Sequence, residues 1–417
     1  MPSRRATLQA LAAGVAALGG CAGGTEPSSQ PTATTTKSTT TSPSATATTG
    51  TTTDPTTRTT DTDEPTDTPV ATRCDERWNP NALWTVATEV RAYAPTVAGG
   101  TVYFGSQDHH LYAVDADSGH VEWRVEHLGG LLARPTVGDG VVTYVGVRSV
   151  AGFDAATGRE RWSFAAPREH GKLTDTFGDD GDAVYVGASQ HPSPEVAVDV
   201  EYDRVYALDR RTGERRWRIS LDEVFGEAQL VPEAVAATDG RVFVRVEDGP
   251  LVALDARDGS VLWRHRFESA YRPLVTGGDT VYPHTAHELA AVDPATGHVR
   301  WTAYADAPPA VTSDAVFAVD DGGLRALDPT DGRQLWRGEL PDGGCGLRPA
   351  VYDGTVYLPV GCRDGNALLS AFDATTGCRR GSFEVLSANA TTPAVTDDAV
   401  FVGGLNGEGR MWAVSGP

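Results

Sequence analysis

The chain has 417 residues, 40% of them hydrophobic, which is enough to bury a large core. Its formal net charge is −21, from 56 acidic and 35 basic side chains, and Lys37 and Lys172 are its only lysines. A surface of that sign repels a phosphate backbone, so nucleic acid is excluded as an expected partner.

The first residues read as an export signal. Arg4 and Arg5 lead into an apolar stretch from Ala10 to Leu18, too short to span a bilayer as a mature helix. The paired arginines resemble a twin-arginine (Tat) signal, with Thr7 standing where such signals prefer a large apolar residue. Leu18-Gly19-Gly20-Cys21 resembles a lipobox, in which the cysteine is acylated and becomes the mature N-terminus; ordinary cleavage near Gly20 is the alternative. Residues 1–21 are therefore expected to be a Tat-type signal with lipobox. Residues 22–72 are almost wholly Thr, Ser, Pro, Ala and Asp and cannot bury enough surface to offset their ordering entropy. They are expected to form a disordered tether, O-glycosylated like other Ser/Thr/Pro stalks.

Residues 73–417 are filled by copies of one pattern: an apolar triplet, an acidic residue, a turn ending in Gly, and Trp four positions on. It reads LYAVDADSGHVEW from Leu111 to Trp123, VYALDRRTGERRW from Val205 to Trp217 and LAAVDPATGHVRW from Leu289 to Trp301. The seventh copy, LSAFDATTGCRRG, ends in Gly381 instead of Trp. Self-similarity at about 40–45 residues predicts the blades of a propeller. The Asp starts an Asx-type turn and the Gly takes a left-handed backbone angle. Upstream of each turn lies a second hairpin, such as PAVYDGTVYLPVG from Pro349. Two hairpins make a four-stranded blade, A to D. A strands are expected to open at Pro95, Pro135, near Phe177, and at Pro232, Pro273, Pro309, Pro349 and Pro393.

The expected fold is thus all-β, an eight-bladed β-propeller of four-stranded antiparallel blades. Only seven D strands follow the eight C strands. The eighth is expected at Leu83-Trp84-Thr85-Val86, beside Met411 to Val414, so that an N-terminal strand closes the ring and leaves no long open edge.

These repeats resemble those of the pyrroloquinoline-quinone (PQQ) propeller family, which includes quinoproteins and BamB-type lipoproteins, from about Leu83 to Pro417. The resemblance implies that Trp84, Trp123, Trp162, Trp217, Trp263, Trp301 and Trp336 dock neighbouring blades. Gly381 departs from it, so the seventh blade must seal its neighbour by other means. An acidic, lysine-poor composition also resembles the haloarchaeal style of adaptation, in which carboxylates keep proteins soluble in strong salt.

Beyond Cys21 there are Cys74, Cys345, Cys362 and Cys378, and an even number in an exported chain favours disulfides. Three pairings are open. Within the propeller, the Asp353-Gly354 turn sets a register in which Cys345 faces Cys362. Cys74, ahead of the closing strand, is then expected to pair with Cys378 in the seventh C–D turn and to stand in for the missing Trp. No CxxC spacing suggests a metal site. Asn389-Ala390-Thr391 is an N-glycosylation sequon.

The uniform A–B and C–D turns share one face and read as structural. The variable B–C and D–A loops share the other, the candidate binding face. Among them are Gln107-Asp108-His109-His110, the insertion from Ala188 to Arg204, and His284-Thr285-Ala286-His287. Arg134, Arg272 and Arg348 each precede the Pro that opens an A strand, and Arg91 stands four before Pro95. They could converge at the channel mouth as an anion site, or pair with carboxylates between blades. Asp179-Asp180-Gly181-Asp182 looks like a calcium-loop fragment but aligns with the A–B turns.

The reading is a lipid-anchored, cell-surface, BamB-like propeller that acts as a non-catalytic binding or protein-interaction scaffold. It is expected to be a monomer without cofactor on the outer face of the cytoplasmic membrane, with an unknown protein partner or small ligand on the loop face. Two alternatives stay open: a PQQ-dependent oxidoreductase, and a receptor for a small anion. For a quinoprotein the resemblance implies adjacent cysteines, a calcium site and a catalytic Asp. No two cysteines are adjacent here, and none of those residues can be assigned.

Overall fold

A computed structural model describes residues 77–417, except 127–132, 166–170, 175–176, 191–203, 226–230, 239, 248, 268–273, 286, 321, 342–343, 363–365, 406–408 and 417. The side chains of 171, 172, 189, 190, 344 and 362 are also outside the description. Arg4, Arg5, Cys21, the tether and Cys74 thus fall outside the described residues.

Eight antiparallel sheets follow one another around a ring, each ordered A–B–C–D from the channel outward. Blade 1 is typical, with Thr96–Ala98, Thr101–Gly105, His110–Asp115 and Val121–Glu126. Neighbouring blades cover both faces of the middle strands, so Thr101–Gly105 is buried at every position. The outer strand is covered on one face and alternates, with Trp123 inward between exposed Glu122 and Arg124. In blades 3 and 7 the inner strand comes in two pieces, Gly171–Leu173 with Gly178–Asp179, and Gly344–Gly346 with Ala350–Tyr352.

The blades are joined by one repeated contact. In seven D strands the Trp indole N–H donates to a carbonyl in the next blade's C–D turn, from Trp84 to Ala116 through Trp336 to Ala374, at 2.8–3.0 Å. The same ring lies against the turn's glycine: a Cβ added at Gly119 would stand 2.7 Å from the Trp84 ring. Gly119 is therefore required twice, by its φ of 73° and by the indole above it.

Each C–D pair also carries a bulge beside the Trp position, which Gly381 holds in blade 7. Gly152 pairs with Trp162 but Phe153 pairs with Glu160, which leaves Arg161 as the extra residue. A bulge re-aims its side chain, and here it turns Arg161 back to Asp154 of the same turn at 2.6 Å. Arg216, Arg300 and Arg380 repeat the arrangement with Asp209, Asp293 and Asp373 at 2.6–2.8 Å.

The strand Ala82–Ala87 pairs antiparallel with Arg410–Ser415 and completes blade 8, placing Trp84 opposite Ala413. Six residues earlier in the chain, Trp78 solves the problem of Gly381. Its backbone N–H donates to the Arg380 carbonyl (3.0 Å), and its indole N–H donates into blade 8, to the Ser415 carbonyl (3.0 Å). The ring is 5% exposed and sits 5.7 Å from Tyr357 of strand B. Trp123 and Trp336 hold the same relation, 5.8 Å, to Tyr103 and Phe317 of their own B strands. Trp78 thus occupies the slot that a Trp at 381 would fill. Gly381 must be glycine because a Cβ there would lie 2.1 Å from the Trp78 carbonyl oxygen.

Candidate functional site

The A strands enclose a central cavity of about 400 Å3, lined by residues of blades 1, 2, 5, 6, 7 and 8. Arg134 and Arg348, each held just before the Pro that opens its strand, both line it. Thr96, Thr276 and Thr392 add hydroxyls to walls made otherwise of Val, Ala and Pro together with Tyr352. The Arg134 Nε donates to Thr96 Oγ1 (3.1 Å), and that hydroxyl donates to the Pro135 carbonyl (2.6 Å). Among the described residues neither guanidinium has an ion pair with a carboxylate. Crowding by the channel wall and, after it, the charge of Arg348 in the same cavity hold the Arg134 pKa down to about 10. Burial likewise lowers Arg348. Both arginine side chains are nonetheless exposed to the open channel, with the wall residues crowded around them.

Of the four arginines expected at the mouth, the cavity therefore brings together two. Arg272 lies outside the described residues. Arg91 is exposed and is not part of the cavity wall. Its carbonyl accepts from Gln107 N (2.9 Å), next to the antiparallel bridge of Ala92 with Ser106.

On the turn face the repeated Asp–Arg pairs set the charge. Hydrogen bonds from Arg161 and Arg300 hold the Asp154 and Asp293 carboxyls at about 2, and Arg216 lowers Asp209 in the same way. Depressed carboxylates add stability above the ordinary value near ~3.9 and lose it as pH falls toward about 2. Replacing Arg161, Arg216 and Arg300 together by Gln should lower the melting temperature slightly at pH 7 and not at pH 2, measured by thermal melts across that range. The effect is small because the pairs are exposed.

The acidic run in blade 3 is fully engaged as a turn. Asp179 pairs with buried Arg210 (2.9 Å), and Asp180 accepts from Tyr185 Oη (2.6 Å) and from Ala183 N (2.8 Å). His110, His284 and His287 of the loops also have partners. Asp108 accepts from His110 N (3.0 Å) and Tyr112 Oη (2.7 Å), buried His284 meets the Ala305 carbonyl (2.9 Å), and His287 meets Asp306 (3.0 Å). No group of His, Cys, Asp and Glu that could hold a metal occurs among the described residues. Asn389 is half-buried, and its Oδ1 lies over Gly361.

The cysteine register needs a correction. Cys345 stands across from Gly361 and Cys362 across from Gly344, one position out of the direct pairing that the turn alone implies. The A strand is broken between Gly346 and Ala350, where Leu347 N donates to the Pro359 carbonyl and Pro349 has no N–H to continue the ladder, so the register slips. Cys345 and Cys378 are each disulfide-bonded. The side chains of Cys74 and Cys362 lie outside the described residues, and with them the pairing. The role of replacing the missing Trp belongs to Trp78 instead. Its signal in the sequence was a spare Trp close ahead of the closing strand, set against one repeat that lacked its own.

Fold and cavity together define an eight-bladed propeller built from PQQ-type repeats. The chain belongs to the family described as outer membrane protein assembly factor BamB, whose profile matches residues 78–190, 148–321 and 320–416. The BamB of Yersinia pestis is 28% identical over 189 residues, which is 44% of this chain and 46% of that protein, so the alignment spans about half of the relative. Among solved structures, BamB from Moraxella catarrhalis superposes with a TM-score of 0.58 at 16% identity, covering 81% of this chain and all of that one. The quinohemoprotein alcohol dehydrogenase of Comamonas testosteroni gives 0.60 at 14%, covering 81% of this chain and 76% of that one. Those likenesses establish the fold. A quinone held over adjacent cysteines beside calcium does not fit this cavity, whose described wall residues include neither a cysteine nor a carboxylate.

Proposed function

We propose that this protein is an exported, lipid-anchored propeller acting as a non-catalytic binding scaffold. It holds a protein partner on its B–C and D–A loop face at the outer surface of the cytoplasmic membrane. What supports the reading is the family match, which runs from residue 78 to 416 and so takes in the whole ring. The relatives are assembly factors by name, and the scaffold role is carried over without their particular partners. The uniform turn face is occupied by structural Asp–Arg pairs, which leaves the variable loops for recognition.

The test is affinity capture of the full-length protein from its own membranes in high salt, followed by mass spectrometry. One protein partner recovered reproducibly is the expected result, with Cys21→Ser moving the propeller out of the membrane fraction. A preparation without partner that gains dye-linked dehydrogenase activity on addition of PQQ and calcium would replace this reading with the enzymatic one.

A further inference from the structure

We propose that Arg134 and Arg348 form a binding site for a small oxyanion, a carboxylate, sulfate or phosphate group, inside the central channel. The site does not rest on the scaffold reading, although Arg134 stands in the D–A connection that leads into its strand.

Its first support is charge placement. The chain carries 56 acidic side chains against 35 basic ones, yet among the described residues the cavity is lined by two arginines and by no Asp or Glu. Elsewhere in the ring several arginines do have such partners: Arg161, Arg216, Arg300 and Arg380 reach carboxylates at 2.6–2.8 Å, and buried Arg210 reaches Asp179. Arg134 and Arg348 share one cavity and have no ion pair among the described residues. Two cations lining one cavity without a counter-charge among the described residues repel each other. Their depressed pKa values follow from that placement.

The second support is geometry. Pro135 and Pro349 fix the backbone at each arginine, and the Thr96 hydroxyl pins the Arg134 Nε at 3.1 Å. That contact leaves the outer nitrogens of Arg134 available as a planar fork, the donor pattern that matches an oxyanion. A volume of about 400 Å3 suits a small solute. An oxyanion between the two guanidiniums would convert repulsion into two charge-assisted contacts.

The experiment is calorimetric titration of the full chain with sodium sulfate, inorganic phosphate and sodium succinate, each at fixed ionic strength. The parent is compared with R134Q, R348Q and the double variant. One-to-one saturable binding of at least one probe is expected, about tenfold weaker in each single variant and absent in the double. Which probe binds separates an inorganic ion from a carboxylate. Melting without any oxyanion supplies a second readout: each single variant should melt at or above the parent, because one of two repelling charges is gone. Saturable binding that survives in the double variant, or no saturable binding of any probe, overturns the proposal. Single variants that melt well below the parent would do so too, by showing that the arginines hold the ring together.

Discussion

A chain lacking Arg73 to Ala87 is expected to lose cooperative folding of the whole ring, not of one blade. The described part of that segment supplies the outer strand of blade 8 and the indole that seals blade 7 to blade 8. Large-to-small loss of a core Trp costs about 3–5 kcal/mol, and removal of buried Val86 adds about 1.5–3 kcal/mol. With partly buried Trp84 lost as well, the total approaches the roughly 5–15 kcal/mol that holds a typical protein folded. The deletion also leaves Arg410–Ser415 as an exposed sheet edge. Thermal unfolding followed by near-ultraviolet circular dichroism and by size-exclusion chromatography checks this. A deletion variant that stayed monodisperse and melted within a few degrees of the parent would show that the ring closes by other means.

Restoring the repeat at its one departure should harm the protein. Gly381→Trp recreates the pattern of the other blades, but its Cβ would collide with the Trp78 carbonyl oxygen and its ring would compete for a filled slot. Overpacking of that kind costs about 1–3 kcal/mol or more, while Trp78→Ala should cost about 3–5 kcal/mol by emptying the same space. The two changes compete for one site, so the double variant W78A/G381W should be more stable than the sum of the single effects allows. Denaturant melts of the four proteins complete the cycle. Strict additivity, or a stabilising Gly381→Trp, would place Trp78 outside the docking slot.

Most of the ring was legible because each blade repeats its own evidence. The Asp-x3-Gly-x3-Trp spacing appears often enough to fix the hairpins, and counting C against D strands points to Leu83–Val86 as the missing edge. The rest depended on contacts that no single repeat contains. Trp78 carries no motif of its own and acquires its role only where the two chain ends meet. The cysteine register failed because a turn sets pairing only until the strand is interrupted, and the break before Ala350 lies between the turn and Cys345. Arg134 and Arg348 were readable from their place before proline, since that position fixes the strand entrance. Arg91, four residues ahead of its proline, has no such anchor and is not among the residues that line the cavity. The Asp–Arg pairs were missed because seven residues of separation means nothing in a strand until a bulge turns the arginine back.

The bond from Trp78 to Ser415 joins residues 337 positions apart. During synthesis Trp78 precedes its acceptor by 337 residues, so the first outer strand has no partner until the final C strand exists. Intermediate blades can form hairpins from local contacts as they emerge, whereas closure carries the loop-entropy cost of the whole ring. The fold therefore reads its own completeness: a product that stops short of Arg410 can build blades but cannot become a ring, and it keeps an open edge and an unsealed apolar slot for quality control to recognise.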